Sequence, residues 1–138
     1  MTNVELARSY MEKAEARLAI LEVLHRQGDY SDVVREAQEI VELALKAMLR
    51  YVGIEPPKWH DVGGFLVDHQ KRLPPDVRPR TRRLREISGW LRKERELAFY
   101  GEEDFIPSEQ YSSDDSMRAM KDARFVVETA RQVVDPSG

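Results

Sequence analysis

The stretch GDYSDVVREAQEIVELALKAMLRY, residues 28–51, decides the fold. Apolar side chains recur in it at three- and four-residue steps, which is the spacing of one face of an α-helix. This stripe consists of Val34, Ala37, Val41, Ala44, Met48 and Tyr51. A second apolar set, Ile40, Leu43, Leu45 and Ala47, lies off the stripe. The pattern therefore predicts a helix that is buried on more than one side, as the central helix of a bundle would be.

The same periodicity extends outward in both directions. Ala7 to Leu21 predicts a first helix that stops at Gly28, with Asp29 capping the second helix. The break at 53–57 contains paired prolines and precedes a short helix over about 61–71, in which Gly63 and Gly64 indicate close backbone approach. Further helices are predicted over 80–98 and from the cap at 113–114 onward. The expected fold is an all-α up-and-down bundle of four long helices and one short one, with the second and fourth at its centre.

Length and composition limit the class of protein. The chain has 138 residues and no cysteine, which excludes disulfides, thiol nucleophiles and cysteine-based metal sites. We expect one domain over residues 1–134 and a frayed tail over 135–138. The sequence shows neither a membrane-spanning apolar run nor a signal peptide, so we expect a cytoplasmic protein. No zinc-ligand spacing or phosphate-binding glycine loop occurs, and we expect no metal and no cofactor.

Charge is unevenly distributed along the chain. Residues 71–95 contain ten basic and three acidic residues, whereas the whole chain has a net charge of −3. Two interpretations are open for this basic segment: a solvated helix face paired with acidic neighbours, or a surface that attracts phosphate.

Arg95 is the most informative single residue. At helical spacing it continues a line of apolar or small residues, Leu84, Ser88 and Leu91. A guanidinium on such a face needs a carboxylate, a partner chain or a bound anion. The two main hypotheses are an internal pair with Glu39 or Glu42 and a contact with phosphate.

The histidines differ in their surroundings. We interpret His25 and His69 as structural residues near helix ends. Lys58 and His60, by contrast, precede a helix start and could contact an anion there.

Four segments together resemble a known family. They are GDYSDVVREAQ (28–38), ELALK (42–46), PKWHDVG (57–63) and LRKERELAFYG (91–101). This set is similar to the HEPN domain, named for higher eukaryotes and prokaryotes nucleotide-binding, and the resemblance spans residues 3–134. It implies a short, commonly dimeric bundle. Many members of the family are toxins or ribonucleases, and prokaryotic members are often paired with a minimal nucleotidyltransferase.

The resemblance also implies roles for individual residues. Ribonuclease members have an arginine followed after four to six residues by a histidine at the end of the fourth helix. Arg95 matches the arginine, but Tyr100 stands in the histidine slot. A phenol with a pKa near 10 transfers protons poorly at neutral pH, so the resemblance favours binding over cleavage. Tyr100 could instead stack on a base or accept a nucleotidyl group, as in related toxins.

The sequence thus predicts a nucleotide- or RNA-binding domain whose phosphate ligands are Lys58, His60, Arg92 and Arg95. Arg95 and Tyr100 are the candidate catalytic residues if any chemistry occurs. The expected partners are a second copy, a minimal nucleotidyltransferase, and a nucleotide or RNA. Two alternatives stay open: a non-catalytic helical protein-interaction module, and a metal-independent ribonuclease with a rebuilt site.

Overall fold

The computed structural model describes residues 2–58, 61–100 and 111–135, with side chains excluded at 95–100. Five α-helices lie within this part of the chain. They are α1 (Asn3–Arg26), α2 (Tyr30–Tyr51), α3 (Val62–Asp68), α4 (Thr81–Tyr100) and α5 (Ser113–Val133). Two single 3-10 turns, Gln70–Arg72 and Arg78–Arg80, connect α3 to α4. The all-α bundle of four long helices and one short helix is confirmed.

Helix boundaries follow local chemistry. Gly28 and Gly53 have φ values of +74° and +82°, a conformation that favours glycine, and they end α1 and α2. Thr2 with Glu5 forms a capping box at the start of α1. The equivalent box on α5 uses Ser112 with Asp115, one residue earlier than the predicted cap. Asp29 stands at the N-cap position of α2 without a side-chain cap bond.

Helix α2 is the centre of the bundle, as its two-sided apolar pattern predicted. It packs against α1, α5, α4 and α3. Both the stripe and the off-stripe set contribute fully buried side chains, including Val34, Ile40, Leu45 and Met48. This burial removes enough apolar surface from water to make α2 the main source of core stability.

The prediction that α4 shares the centre is wrong. Leu84, Ile87, Ser88 and Leu91 are buried, but α4 packs mainly on α3 and α2 and meets α5 at few points. Its other face exposes a row of charged residues, Arg82, Arg83, Arg85 and Glu86. Because arginines occupy that face, α4 lies at the edge of the bundle with grooves on both of its sides.

Candidate phosphate-binding site

The short helix α3 lies directly against α4, and two glycines make this possible. A Cβ atom at Gly63 would stand 2.7 Å from Arg85 Cα, and one at Gly64 would stand 2.9 Å from Asp61 Oδ2. Real side chains do not reach such distances without displacing their neighbours. The predicted close approach is confirmed: Gly63 meets the backbone of α4, and Gly64 meets the side chain of Asp61.

Asp61, immediately before α3, faces two arginines of α4. Its Oδ2 lies 3.5 Å from Arg85 Nε, and its Oδ1 lies 3.3 Å from Arg92 Nη2. Oδ1 is buried and receives no aligned hydrogen bond from the described residues, so its partner is the Arg92 charge. One carboxylate thus holds two guanidinium groups, and donor capacity is left over on both.

Glu42 on α2 lies behind this pair. Ser88 Oγ is 3.4 Å from Glu42 Oε1, a long hydrogen bond between α4 and α2. Desolvation raises the pKa of the Glu42 carboxyl, while the charges of Lys46 and Arg92 oppose that rise. Burial therefore makes the charged form of Glu42 less favourable than that of an exposed glutamate.

We call these six residues, Glu42, Lys46, Asp61, Arg85, Ser88 and Arg92, the Asp61 cluster. It contains three cations and at most two anionic carboxylates. The side chain of Arg92 is 37 % exposed, so part of it is accessible from solvent. A guanidinium that is fixed on one edge and open on the other can bind a phosphate in a bidentate manner.

A groove opens beside the cluster along α4. Its volume is about 590 Å³, and its lining includes Asp61, Val67, Arg82, Arg85 and Gly89. Glu86 completes the lining, and the groove gives a ligand access to Arg82 and Arg85 from solvent.

At the C-terminal end of α4, Tyr111 ties the start of α5 to the helix. Its hydroxyl lies 3.0 Å from both the carbonyl oxygen and Oε2 of Glu94. Burial first, and then the Glu94 carboxylate, raise the pKa of the Tyr111 phenol. The phenol therefore stays protonated, and it fixes the backbone of α4 one residue before Arg95.

The predicted site residues have different outcomes. Arg92 lies in the Asp61 cluster, and Lys58 is exposed three residues before Asp61. Trp59 and His60 lie outside the described residues, as do the side chains of Arg95 and Tyr100. Of the two glutamates proposed to pair with Arg95, Glu42 contacts Ser88 and faces Arg92.

Asp61 and Arg85 were not predicted from the sequence as members of the site. Asp61 stands two residues before the glycine pair, and Arg85 is the residue that this pair contacts. The signal was present in the Asp-Val-Gly-Gly order, because a carboxylate beside a close helix contact is held against the neighbouring helix.

The two described histidines have local structural partners. His25 Nδ1 lies 2.8 Å from Ser116 Oγ, and His69 Nδ1 lies 2.9 Å from the carbonyl oxygen of Phe65. The structural interpretation of both is confirmed. Among the described side chains, no group of three potential metal ligands converges.

Comparison with known families decides the class of protein. The family model described as HEPN domain matches residues 7–133, nearly the whole chain. The chain belongs to the HEPN family. The resemblance seen in the sequence is therefore confirmed, and the five-helix bundle is the structure of a HEPN domain.

A related protein from Methanocaldococcus jannaschii is named "Putative toxin MJ1304". It is 28 % identical to this HEPN domain over 138 residues, which cover 94 % of this chain and 88 % of that protein.

In the described part of the present chain, no helix is both long and apolar enough to cross a bilayer.

Proposed function

We propose that this HEPN domain binds a nucleotide or an RNA phosphate on the side of α4 that carries Arg92 and Arg95. The observation that carries the proposal is the Asp61 cluster, in which one carboxylate faces two arginines and the Arg92 side chain is partly exposed. Arginines in excess over carboxylates attract phosphate by charge and bind it through paired N–H donors.

Arg92 and Arg95 lie three positions apart on α4, a spacing that puts two residues on neighbouring sides of a helix. In the proposal both contact phosphate oxygens. In the proposal Lys58, in the segment before α3, adds a positive charge, and His60 donates a hydrogen bond to the phosphate. Tyr100, two turns beyond Arg92, stacks on a base or donates a hydrogen bond.

Binding rather than cleavage is the proposed activity. A tyrosine stands where ribonuclease members have a histidine, and a phenol does not shuttle protons efficiently near neutral pH. Glu42, with its raised pKa, is too enclosed against Ser88 to replace that histidine for a bound strand.

The domain also needs partners in this proposal. The M. jannaschii relative is named a toxin. We propose that the present chain is the HEPN half of a toxin–antitoxin pair with a minimal nucleotidyltransferase, and that it forms a homodimer.

Light scattering of the purified protein tests the dimer, since a monomer at high micromolar concentration would contradict it. Titration with a minimal nucleotidyltransferase from the same genome tests the pair, and co-elution at a fixed ratio is the expected result.

The ligand test uses labelled tRNA and total RNA with binding and cleavage scored in one gel. The variants are Arg92→Gln and Arg95→Ala, with Lys13→Gln as the matched control because Lys13 is exposed on α1. We expect binding without cleavage, weakened about tenfold by either α4 variant and unchanged by the control.

Two results would contradict the proposal. If the wild type and the three variants bind RNA equally well, α4 does not recognise phosphate. Cleavage that is lost in Arg95→Ala would instead establish a ribonuclease with a rebuilt site.

A further inference from the structure

A second groove runs between α4 and α5, away from the Asp61 cluster. It has a volume of about 290 Å³, and its lining includes Arg83, Trp90, Arg118, Lys121 and Asp122. It exists because α4 and α5 touch at few points along this stretch. The HEPN match covers both helices but says nothing of what this groove does.

A buried carboxylate organises the groove. The Asp122 side chain is only 7 % exposed. Its Oδ2 accepts a hydrogen bond of 2.9 Å from the Trp90 indole and lies 3.8 Å from Arg118 Nε, while its Oδ1 lies 3.3 Å from Arg83 Nη2. This one carboxylate therefore faces two guanidinium groups, one from each wall of the groove, and Glu86 adds a second carboxylate to the lining.

Both arginines also rest on aromatic rings. The Arg118 guanidinium lies 4.0 Å from the centre of the Trp90 ring, and that of Arg83 lies 5.2 Å from the centre of the Phe125 ring. Their side chains remain 61 % and 52 % exposed. Arginines held by a buried carboxylate and an aromatic face lose little conformational entropy when they bind a ligand.

We propose that this groove binds single-stranded RNA, with phosphates held between Arg83 and Arg118 and a base placed against the Trp90–Arg118 stack. Lys121, exposed at the edge of the groove, adds a third cation. An acidic peptide would use the charges but not the stacked planar surface, whereas a nucleic-acid strand uses both.

The groove and the Asp61 cluster lie on opposite sides of α4. Arg83 precedes Arg92 by nine residues, which is about 14 Å along a helix. A strand crossing the exposed face of α4 would therefore reach both, although each can bind without the other. The RNA contact proposed here does not depend on the function of Arg92 or Arg95.

The test is fluorescence anisotropy of a short labelled single-stranded RNA, measured from about 50 to 200 mM salt. The variants are the double Arg83→Gln/Arg118→Gln, the charge-conserving Arg118→Lys, and the α1 control Lys13→Gln. Thermal unfolding of each variant establishes that it is folded. Arg118→Lys keeps the charge and loses the planar stack, so it separates base contact from simple attraction.

We expect the double variant to bind about tenfold more weakly, with a log–log salt slope smaller by about 1.4 because two phosphate contacts are lost. Arg118→Lys should lose about threefold in affinity with an unchanged slope. Equal affinity and slope for the folded double variant and the wild type would overturn the groove proposal, even if Arg92→Gln still weakens binding. A glutamate-rich peptide that binds this groove more tightly than the RNA, and whose binding the double variant abolishes, would assign it to an acidic protein and also overturn the proposal.

Discussion

Arginines are used differently on the two sides of this bundle. Between α1 and the C-terminal part of the chain, two arginines each have a carboxylate of their own on the other segment. We call these pairs the α1–α5 ladder: Arg8–Asp135 and Arg131–Glu15, both of which close at 2.8 Å. Glu22, which lies next to the ladder, is shared by Arg124 and Arg26. Along α4, by contrast, Asp61 and Asp122 are each shared by two arginines.

The difference separates structural charge from charge that is left for a ligand. The ladder is balanced pair by pair, so it attracts no net anion and serves to hold α1 on α5. The α4 side has guanidinium groups fixed by too few carboxylates, which leaves N–H donors facing solvent. On this comparison, phosphate is expected at the arginines that share a carboxylate on α4 rather than at the one-to-one pairs of the ladder.

The largest expected effect is on the contact that builds the Asp61 cluster. Gly63→Ala places a methyl group against the backbone of Arg85. We expect it to lower the free energy of unfolding by about 2–3 kcal/mol, as overpacking of a tight contact does. Chemical denaturation measures this change.

Gly89→Ala is the matched control for that prediction. The added methyl group meets no atom within 4 Å, and alanine is the better helix former. It should raise the free energy of unfolding by up to about 1 kcal/mol. Equal costs for the two variants would show that α3 does not depend on its close approach to α4.

The next prediction compares a carboxylate that two arginines share with a carboxylate that has one arginine partner. Asp61→Asn frees both of its arginines and should tighten RNA binding about threefold, while stability falls by about 1 kcal/mol. Asp135→Asn removes a ladder carboxylate instead. Asparagine tolerates the φ of 54° at this position, and RNA affinity should not change. Weaker RNA binding by Asp61→Asn would mean that the carboxylate is needed to position Arg92 more than it competes with phosphate.

Features that depend on residues close together in the sequence could be predicted, whereas contacts between residues far apart in the sequence could not. Helical periodicity placed Val34, Leu45 and Leu91 in the core, because that pattern is local. The shared pairing of Asp61 joins residues 24 and 31 positions apart, and it depends on how α3 packs on α4. Periodicity contains no information on that packing.

The placement of α4 shows the same limit. The buried residues of α4 were predicted from the sequence, but its position at the edge of the bundle was not. The sequence does not show which charged face of the helix meets solvent. The groove at Asp122 also escaped prediction, because it is formed by residues of α4 and α5 that lie 32 positions apart.

The pKa shift of a carboxyl group has opposite signs in the two regions. Burial raises the pKa of Glu42, whose folded value therefore exceeds its unfolded value. The stability it contributes is present at low pH and is lost as pH rises through the folded pKa. Glu42→Gln should therefore raise the free energy of unfolding near neutral pH, and this gain should vanish in acid.

The ladder should respond in the opposite direction. The hydrogen bond from Arg8 lowers the pKa of the Asp135 carboxyl. The stability from this pair is present above the ordinary aspartate pKa and is lost as pH falls through the lowered value. Carboxyl NMR titration measures both residues in one experiment, and shifts of the same sign would contradict the contrast.

The smallest effect is expected within the ladder itself. Arg131→Gln removes an exposed pair with Glu15, which is worth at most about 1 kcal/mol of unfolding free energy. Thermal melting should detect little change, and a loss of several kcal/mol would mean that the ladder supports the fold more than its exposure indicates.

The central claim, that the α4 side keeps arginines available for phosphate and the ladder does not, is tested most directly by the salt dependence of RNA affinity in two variants. Arg92→Gln and Arg131→Gln each remove one arginine charge. The account predicts weaker binding and a salt slope smaller by about 0.7 for Arg92→Gln, with no change for Arg131→Gln. Identical slopes for the two variants would contradict it.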